Sequence, residues 1–195
     1  MVEPAIGILG AGQMGLALAR RWLACEHRVL LGSRNLPRVR ELAATLGPCA
    51  YGASYQKAAA AAEVIVLTIP SHAVLDVVRD LADLLDDKIL LDCSGAAAPV
   101  TWEDRNARVS LAEQVAESAP RAKVIKALTT IPSTTIAMAE RYPPVKALYC
   151  GEDAQAKSTV HRLIEELEFE PIDAGALSEA RLFEYYASHA IWNAS

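Results

Sequence analysis

The chain has 195 residues, 52% of them hydrophobic and 22% charged, with 10 Gly and 10 Pro; this is a globular composition and excludes a disordered, collagen-like or low-complexity protein. A fold of this size removes roughly two-thirds of the unfolded surface from water, so neither a disulfide framework nor a structural metal is required. A net charge of −5 and an aromatic content of 6% disfavour nucleic acid or an anionic membrane as partner.

In chain order, residues 5–9 predict a short buried strand and residues 13–24 a helix. Residues 28–31 form a second strand, and Asn35 is the predicted N-cap of a helix reaching residue 46, with Pro37 tolerated in its first turn. Residues 64–69 are apolar and β-branched and stop at Pro70, after which Ser71 offers an N-cap. Val74, Val77, Val78, Leu81, Leu84 and Leu85 follow at helical spacing, with Asp76, Arg79, Asp80 and Asp83 opposite. Residues 88–92 are another strand, 96–99 a looser Ala/Pro stretch, and 123–128 and 146–150 two further strands. Ala156, Val160, Leu163, Ile164 and Leu167 mark a helix, residues 169–172 a last strand, and 177–192 a closing helix.

Short apolar strands separated by amphipathic helices predict an α/β fold with a doubly wound, mostly parallel sheet of Rossmann type and helices on both faces. No repeat or Gly/Ser linker interrupts it. A single domain is expected, with a dinucleotide-binding core over about residues 1–122 and an extension of the same sheet over about 123–195. The uncharged stretch 5–19 carries four glycines and follows Glu3 rather than a basic segment, so it does not read as a secretory signal or a membrane span. The four cysteines (Cys25, Cys49, Cys93, Cys150) contain no C-x-x-C pair, and the four histidines show no metal spacing. A cytoplasmic setting is expected, with no metal.

The sharpest motif is Gly10-Ala11-Gly12-Gln13-Met14-Gly15, a G-x-G-x-x-G between a predicted strand and a predicted helix. Gly10 would make the tight turn, Gly12 admit a pyrophosphate against the backbone, and Gly15 let the helix pack close. The free N–H groups of the helix start suit phosphate. An NAD site places a carboxylate at the end of the second strand, but here the chain reads Leu31-Gly32-Ser33-Arg34-Asn35. Ser33 and Arg34, with Arg38 one turn on, are candidates for a 2′-phosphate, which favours NADP(H). Thr68, Ile69, Pro70 and His72 end a strand on the cofactor side, where Ile69 and Pro70 could wall the nicotinamide. A plain strand-to-helix turn explains them equally well. Cys93 and Ser94 end another strand, with no G-x-S-x-G and no legible His/Asp partner, which argues against a hydrolase.

The succession G-A-G-Q-M-G, G-S-R-N, L-T-I-P, V-I-K-A-L-T-T-I-P, C-G-E-D and D-A-G-A-L-S-E-A-R-L resembles the coenzyme F420-dependent NADP oxidoreductase family over nearly the whole chain. The resemblance implies that Ser33, Arg34 and Arg38 hold the 2′-phosphate and that the Ile69-Pro70 loop touches NADP. It implies further that Thr129, Thr130, Ile131 and Pro132 border a deazaflavin; Cys93 and Ser94, which end another strand, are candidate substrate-side residues beside them. The chain departs from the family's archaeal members at Ala11, Ser71 and Thr129, where they carry Thr, Trp and His. The expectation is a hydride-transferring enzyme with NADP(H) as cofactor, coenzyme F420 as candidate co-substrate and no legible acid/base constellation. Ferric or flavin reductase, imine reductase and a non-catalytic NADP(H) sensor stay open as alternatives. An apolar closing helix (Leu182, Phe183, Tyr186, Ile191, Trp192) points to a homodimer.

Overall fold

Strands β1 (Ile6–Leu9), β2 (Val29–Gly32) and β4 (Val64–Leu67) are buried at every position. With no polar face alternating in, each must be covered on both sides. The structure is a computed structural model describing residues 4–95, 101 and 108–192; the Ala/Pro stretch at 96–99 lies outside the described residues, as do the side chains of Ile191 and Trp192. With β3 (Ala50–Ala53), β5 (Ile89–Asp92), β6 (Lys123–Ala127), β7 (Lys146–Gly151) and β8 (Glu170–Asp173), these strands form one eight-stranded sheet. Its order is β3-β2-β1-β4-β5-β6-β7-β8.

All neighbours from β3 to β6 are parallel. The direction then reverses: β7 runs antiparallel to β6, with Ile125 opposite Gly151 and Ala127 opposite Tyr149, and β8 follows β7 in parallel. The predicted sheet is thus found, and its last two strands point the other way. The connection after β6 holds helix α6 (Ser133–Ala137), 5 residues long, and a 3-10 turn at Ala139–Arg141.

Helices α1 (Gln13–Ala24), α2 (Leu36–Leu46), α6 and α7 (Ala154–Glu165) cover one face, packed on Ile6, Ile8, Leu31, Val66 and Ile125. Helices α3 (Tyr55–Ala61), α4 (Ser71–Leu85), α5 (Leu111–Ser118) and α8 (Ala180–Trp192) cover the other, on Leu9, Leu30, Ile65, Leu67 and Leu90. The C-terminal end of α1 is seated on the last third of the chain. The fully buried Trp22 donates its indole N–H to the Leu163 carbonyl at 3.0 Å, Arg21 bridges Glu140 and Glu168, and His27 lies 2.7 Å from Glu166. Among the described residues no helix is long and apolar enough to cross a membrane, and no group of three His, Cys, Asp or Glu is placed to hold a metal.

Asn35 caps α2 as predicted, its Oδ1 accepting from the Arg38 N–H. Ser71 does not cap α4: it is the first helical residue, and Pro70 precedes it without a side-chain bond. The predicted closing helix divides into a 3-10 turn at Leu177–Glu179 and α8.

Candidate functional site

The turn from β1 to α1 distinguishes its three glycines. Gly10 has φ +122°, and a Cβ there would lie 2.7 Å from the Thr68 carbonyl oxygen. A Cβ at Gly15 would lie 2.0 Å from the Gly10 carbonyl oxygen. Both are glycine because the fold leaves no room. Gly12 differs: its φ of −84° suits any residue, and a Cβ would meet nothing within 4 Å. Nothing within the protein demands glycine there. The space in front of it opens onto the start of α1, where no side chain caps the helix and the first N–H groups are left for a ligand. A pyrophosphate fits this turn, and a side chain at position 12 would occupy its approach. The Thr68 hydroxyl sits 2.9 Å from the Gly10 carbonyl and 3.2 Å from that of Leu9, tying the end of β4 to the turn.

At the end of β2, the Ser33 N–H bonds the Ala53 carbonyl at 3.0 Å and the Ser33 hydroxyl accepts from the Asn35 N–H at 3.1 Å. Ala11, Ser33, Asn35 and Arg38 surround a pocket of about 90 Å³ floored by Val39 and Leu42. It is small enough for a single phosphate and contains no carboxylate, which suits a 2′-phosphate rather than a bare ribose hydroxyl pair. Arg34 is exposed in the same loop but does not line the pocket. Asn35, the predicted helix cap, is also a wall of this pocket, a part the sequence does not show.

Towards β6 the remaining candidates spread out. Ile69 is buried, Pro70 exposed, and His72 exposed in the first turn of α4. Cys93 is buried, and burial pushes its thiol far above the ordinary value; Cys150 is pushed up to about 12 by the same cause. Neither is a thiolate nucleophile. Leu128, buried with φ 62°, holds a left-handed conformation where β6 gives way to Thr129 and the exposed Thr130. Ile131 is buried, and Pro132 immediately precedes α6. Gln13 reaches this side: with Arg20, Ser133 and Thr134 it lines a groove of about 240 Å³ between α1 and α6. Met14 is packed against the core.

A buried ionic cluster at the ends of β5 and β6 escaped the sequence reading. The Lys126 ammonium, fully buried, lies 2.8 Å from Asp92 Oδ2, 2.7 Å from the Ser94 carbonyl and 3.3 Å from Glu184 Oε1. Asp92 Oδ1 accepts from both the N–H (2.9 Å) and the hydroxyl (2.6 Å) of Ser94. Glu184, on α8, accepts from the Leu111 and Ala112 N–H groups at the start of α5. Burial alone would lower the Lys126 pKa; the Asp92 and Glu184 carboxylates outweigh it and hold the group above its ordinary value. Burial raises Glu184, with Lys126 pulling against it. The available signal was a lysine inside the apolar run Val124-Ile125-Lys126-Ala127-Leu128, since a charge is buried only when paired.

Comparison with known proteins adds kinship to this geometry. Residues 5–96 match the family model described as NADP oxidoreductase, coenzyme F420-dependent. The chain is 32% identical over 181 residues to the Metalloreductase STEAP3 of Rattus norvegicus, covering 93% of this chain and 36% of that protein. It spans about a third of the length of the metalloreductases it matches. To the F420-dependent NADP reductase of Methanothermobacter thermautotrophicus it is 28% identical over 202 residues, covering 94% of this chain and 86% of that one. A crystal structure from Arthrobacter sp. FB24, provisionally described as an F420-dependent NADP-reductase, superposes with a TM-score of 0.84 at 25% identity, covering 98% of this chain and 94% of that one. The imine reductase of Bacillus cereus, at 21% identity and a TM-score of 0.70, shares the fold.

Proposed function

The chain is a relative of the coenzyme F420-dependent NADP oxidoreductases, and from that premise we propose that it transfers a hydride between NADP(H) and the deazaflavin of coenzyme F420. The observation that carries the dinucleotide half is Gly12, a glycine that the fold does not need, facing open space at an uncapped helix start. In this reading the turn around Gly12 takes the pyrophosphate, and Ser33 and Arg38 take the 2′-phosphate with Arg34 reaching in from the loop. Ile69 and Pro70 wall the nicotinamide, while Cys93, Ser94 and Thr129 to Pro132 border the acceptor. NADPH, when bound, supplies the hydride from nicotinamide C4. The chain's share is to align two flat rings and to keep water from between them.

A second reading is supported by the 32% identity to a metalloreductase: the same NADPH site delivering its electrons to a flavin or a ferric chelate. The acceptor separates the readings. Enzyme, NADPH and oxidised coenzyme F420 are mixed, and loss of the deazaflavin absorbance at a rate saturating in both substrates is the expected result. If that absorbance holds while FMN or a ferric chelate is reduced, the second reading replaces the first. If a cyclic imine alone is reduced, the enzyme is an imine reductase. Tight NADPH binding with no turnover of any of them makes the chain a redox sensor. We also take the chain to act as a single unit and as a homodimer in the cytoplasm. The continuous sheet supports the first, and Tyr186, half exposed on α8, the second; light scattering at the mass of one chain would remove the dimer.

A further inference from the structure

The cluster of Asp92, Lys126 and Glu184 is built to a count. An ammonium has three protons, and those of Lys126 meet three acceptors: Asp92 Oδ2, the Ser94 carbonyl and Glu184 Oε1. The second Asp92 oxygen receives both donors of Ser94, and Glu184 receives two further N–H groups, from Leu111 and Ala112. Two carboxylates against one ammonium leave one negative charge in excess. The start of α5, aimed at Glu184, offsets roughly half a charge of it.

Such a cluster is a poor device for stability alone, because apolar side chains of the same volume often serve as well or better. What it does supply is position. Asp92 and Lys126 grip Ser94, the residue leaving β5. Glu184 grips Leu111 and Ala112, the residues entering α5. Lys126 itself stands in β6, two residues before Leu128, whose left-handed backbone turns the chain into Thr129.

We propose that Asp92, Lys126 and Glu184 are positioning residues of the acceptor side: they lock both ends of the β5–α5 connection, and α8 with them, to the strand that carries Thr129 to Pro132. The proposal rests on the reading of this side as the acceptor's. It assigns α8, remote in sequence from the glycine turn, a part in acceptor recognition. It gives the cluster no contact with substrate and no proton to transfer.

The test uses the full chain with Lys126→Met, and Glu184→Gln as the milder variant if the first does not fold. Three quantities are read: backbone hydrogen exchange, the NADPH dissociation constant, and kcat and KM with oxidised coenzyme F420 as the acceptor probe. The expected result is exchange at the Ser94, Leu111 and Ala112 amides faster by tenfold or more, with the Leu16 amide of the glycine turn unchanged. NADPH affinity stays within twofold while the acceptor KM rises tenfold or more. Uniformly faster exchange, with NADPH and acceptor affinity falling together, would show a merely structural cluster and overturn the proposal, as would an unchanged acceptor KM in a variant whose exchange has quickened. If the unaltered chain turns over none of coenzyme F420, FMN, a ferric chelate or a cyclic imine, the functional reading has failed. The exchange pattern then still decides whether the cluster locks the two ends, and unchanged exchange at Ser94 and Leu111 removes the lock as well.

Discussion

The two halves of the crevice are made of different materials. The half around β1, α1 and β2 is built mainly from local backbone: glycines without side chains, an uncapped helix start, and a small pocket walled by Ser33, Asn35 and Arg38, residues close together in the chain. The half around β5, β6 and α8 is built from buried charge, with contacts spanning 34 residues between Asp92 and Lys126 and 73 between Leu111 and Glu184. A backbone site accepts any ligand with the right phosphates. A buried ionic frame fixes where its elements stand, and there discrimination between acceptors can be written into geometry.

The sharpest way to break this contrast is Gly12→Val. If the first half is a backbone cradle, the variant should fold normally, since its Cβ meets no protein atom, yet lose NADPH affinity about a thousandfold, or about 4 kcal/mol. Calorimetric titration with NADPH and a thermal melt read both numbers; an unchanged dissociation constant would remove the cradle. On the other side, Asp92→Ala should cost about 3 kcal/mol of stability by stripping Lys126 of its closest carboxylate. Denaturant unfolding measures it, and a loss below about 1 kcal/mol would show that the cluster behaves like a surface pair.

Arg34→Ala sharpens the comparison within the first half. NADPH should weaken by about 1.5–3 kcal/mol, the range of a charge-assisted bond, and NADH hardly at all. Equal losses for the two nucleotides, measured by fluorescence titration, would make Arg34 a support for the adenine or the loop. The smallest effect concerns acid. Burial alone would raise the Glu113 carboxyl, but hydrogen bonds from Arg181 and Ser110 outweigh it and hold the group below its ordinary 4.5. A carboxyl depressed in the folded state stabilises above its unfolded value and loses that contribution as pH falls through the folded one. The melting temperature of the unaltered chain should therefore exceed that of Glu113→Gln at pH 7, and the gap should close below pH 4.5. A gap constant from pH 7 to 3 would contradict the pairing.

The same division explains what could be read from sequence. Gly10, Gly12 and Gly15 act within six consecutive residues, and Ser33, Asn35 and Arg38 within another six, so their pattern survives in one dimension. The apolar strands β1, β2 and β4 are legible for the same reason. Strand β3, with the sequence AYGA and no β-branched residue, has no such signal, and it pairs only because β2 offers a free edge. Helix α5 does carry one, a Ser110 to Glu113 capping box that the apolar periodicity alone does not detect. Reversal of β7 and the Lys126 cluster both depend on how the topology brings distant residues together. Neither is written in neighbouring positions.

The indole of Trp22 also sets an order of events. It sits on the helix that carries the glycine turn, yet its hydrogen-bond partner, Leu163, lies 141 residues further along. During synthesis the turn leaves the ribosome well before Leu163 and the rest of the surface that seats α1. Long-range contacts of this kind are slow to close and leave apolar surface waiting. The glycine turn is thus made well before the surface that seats its helix, and if the turn is the nucleotide cradle, NADPH added during refolding should find its site only once α7 has docked.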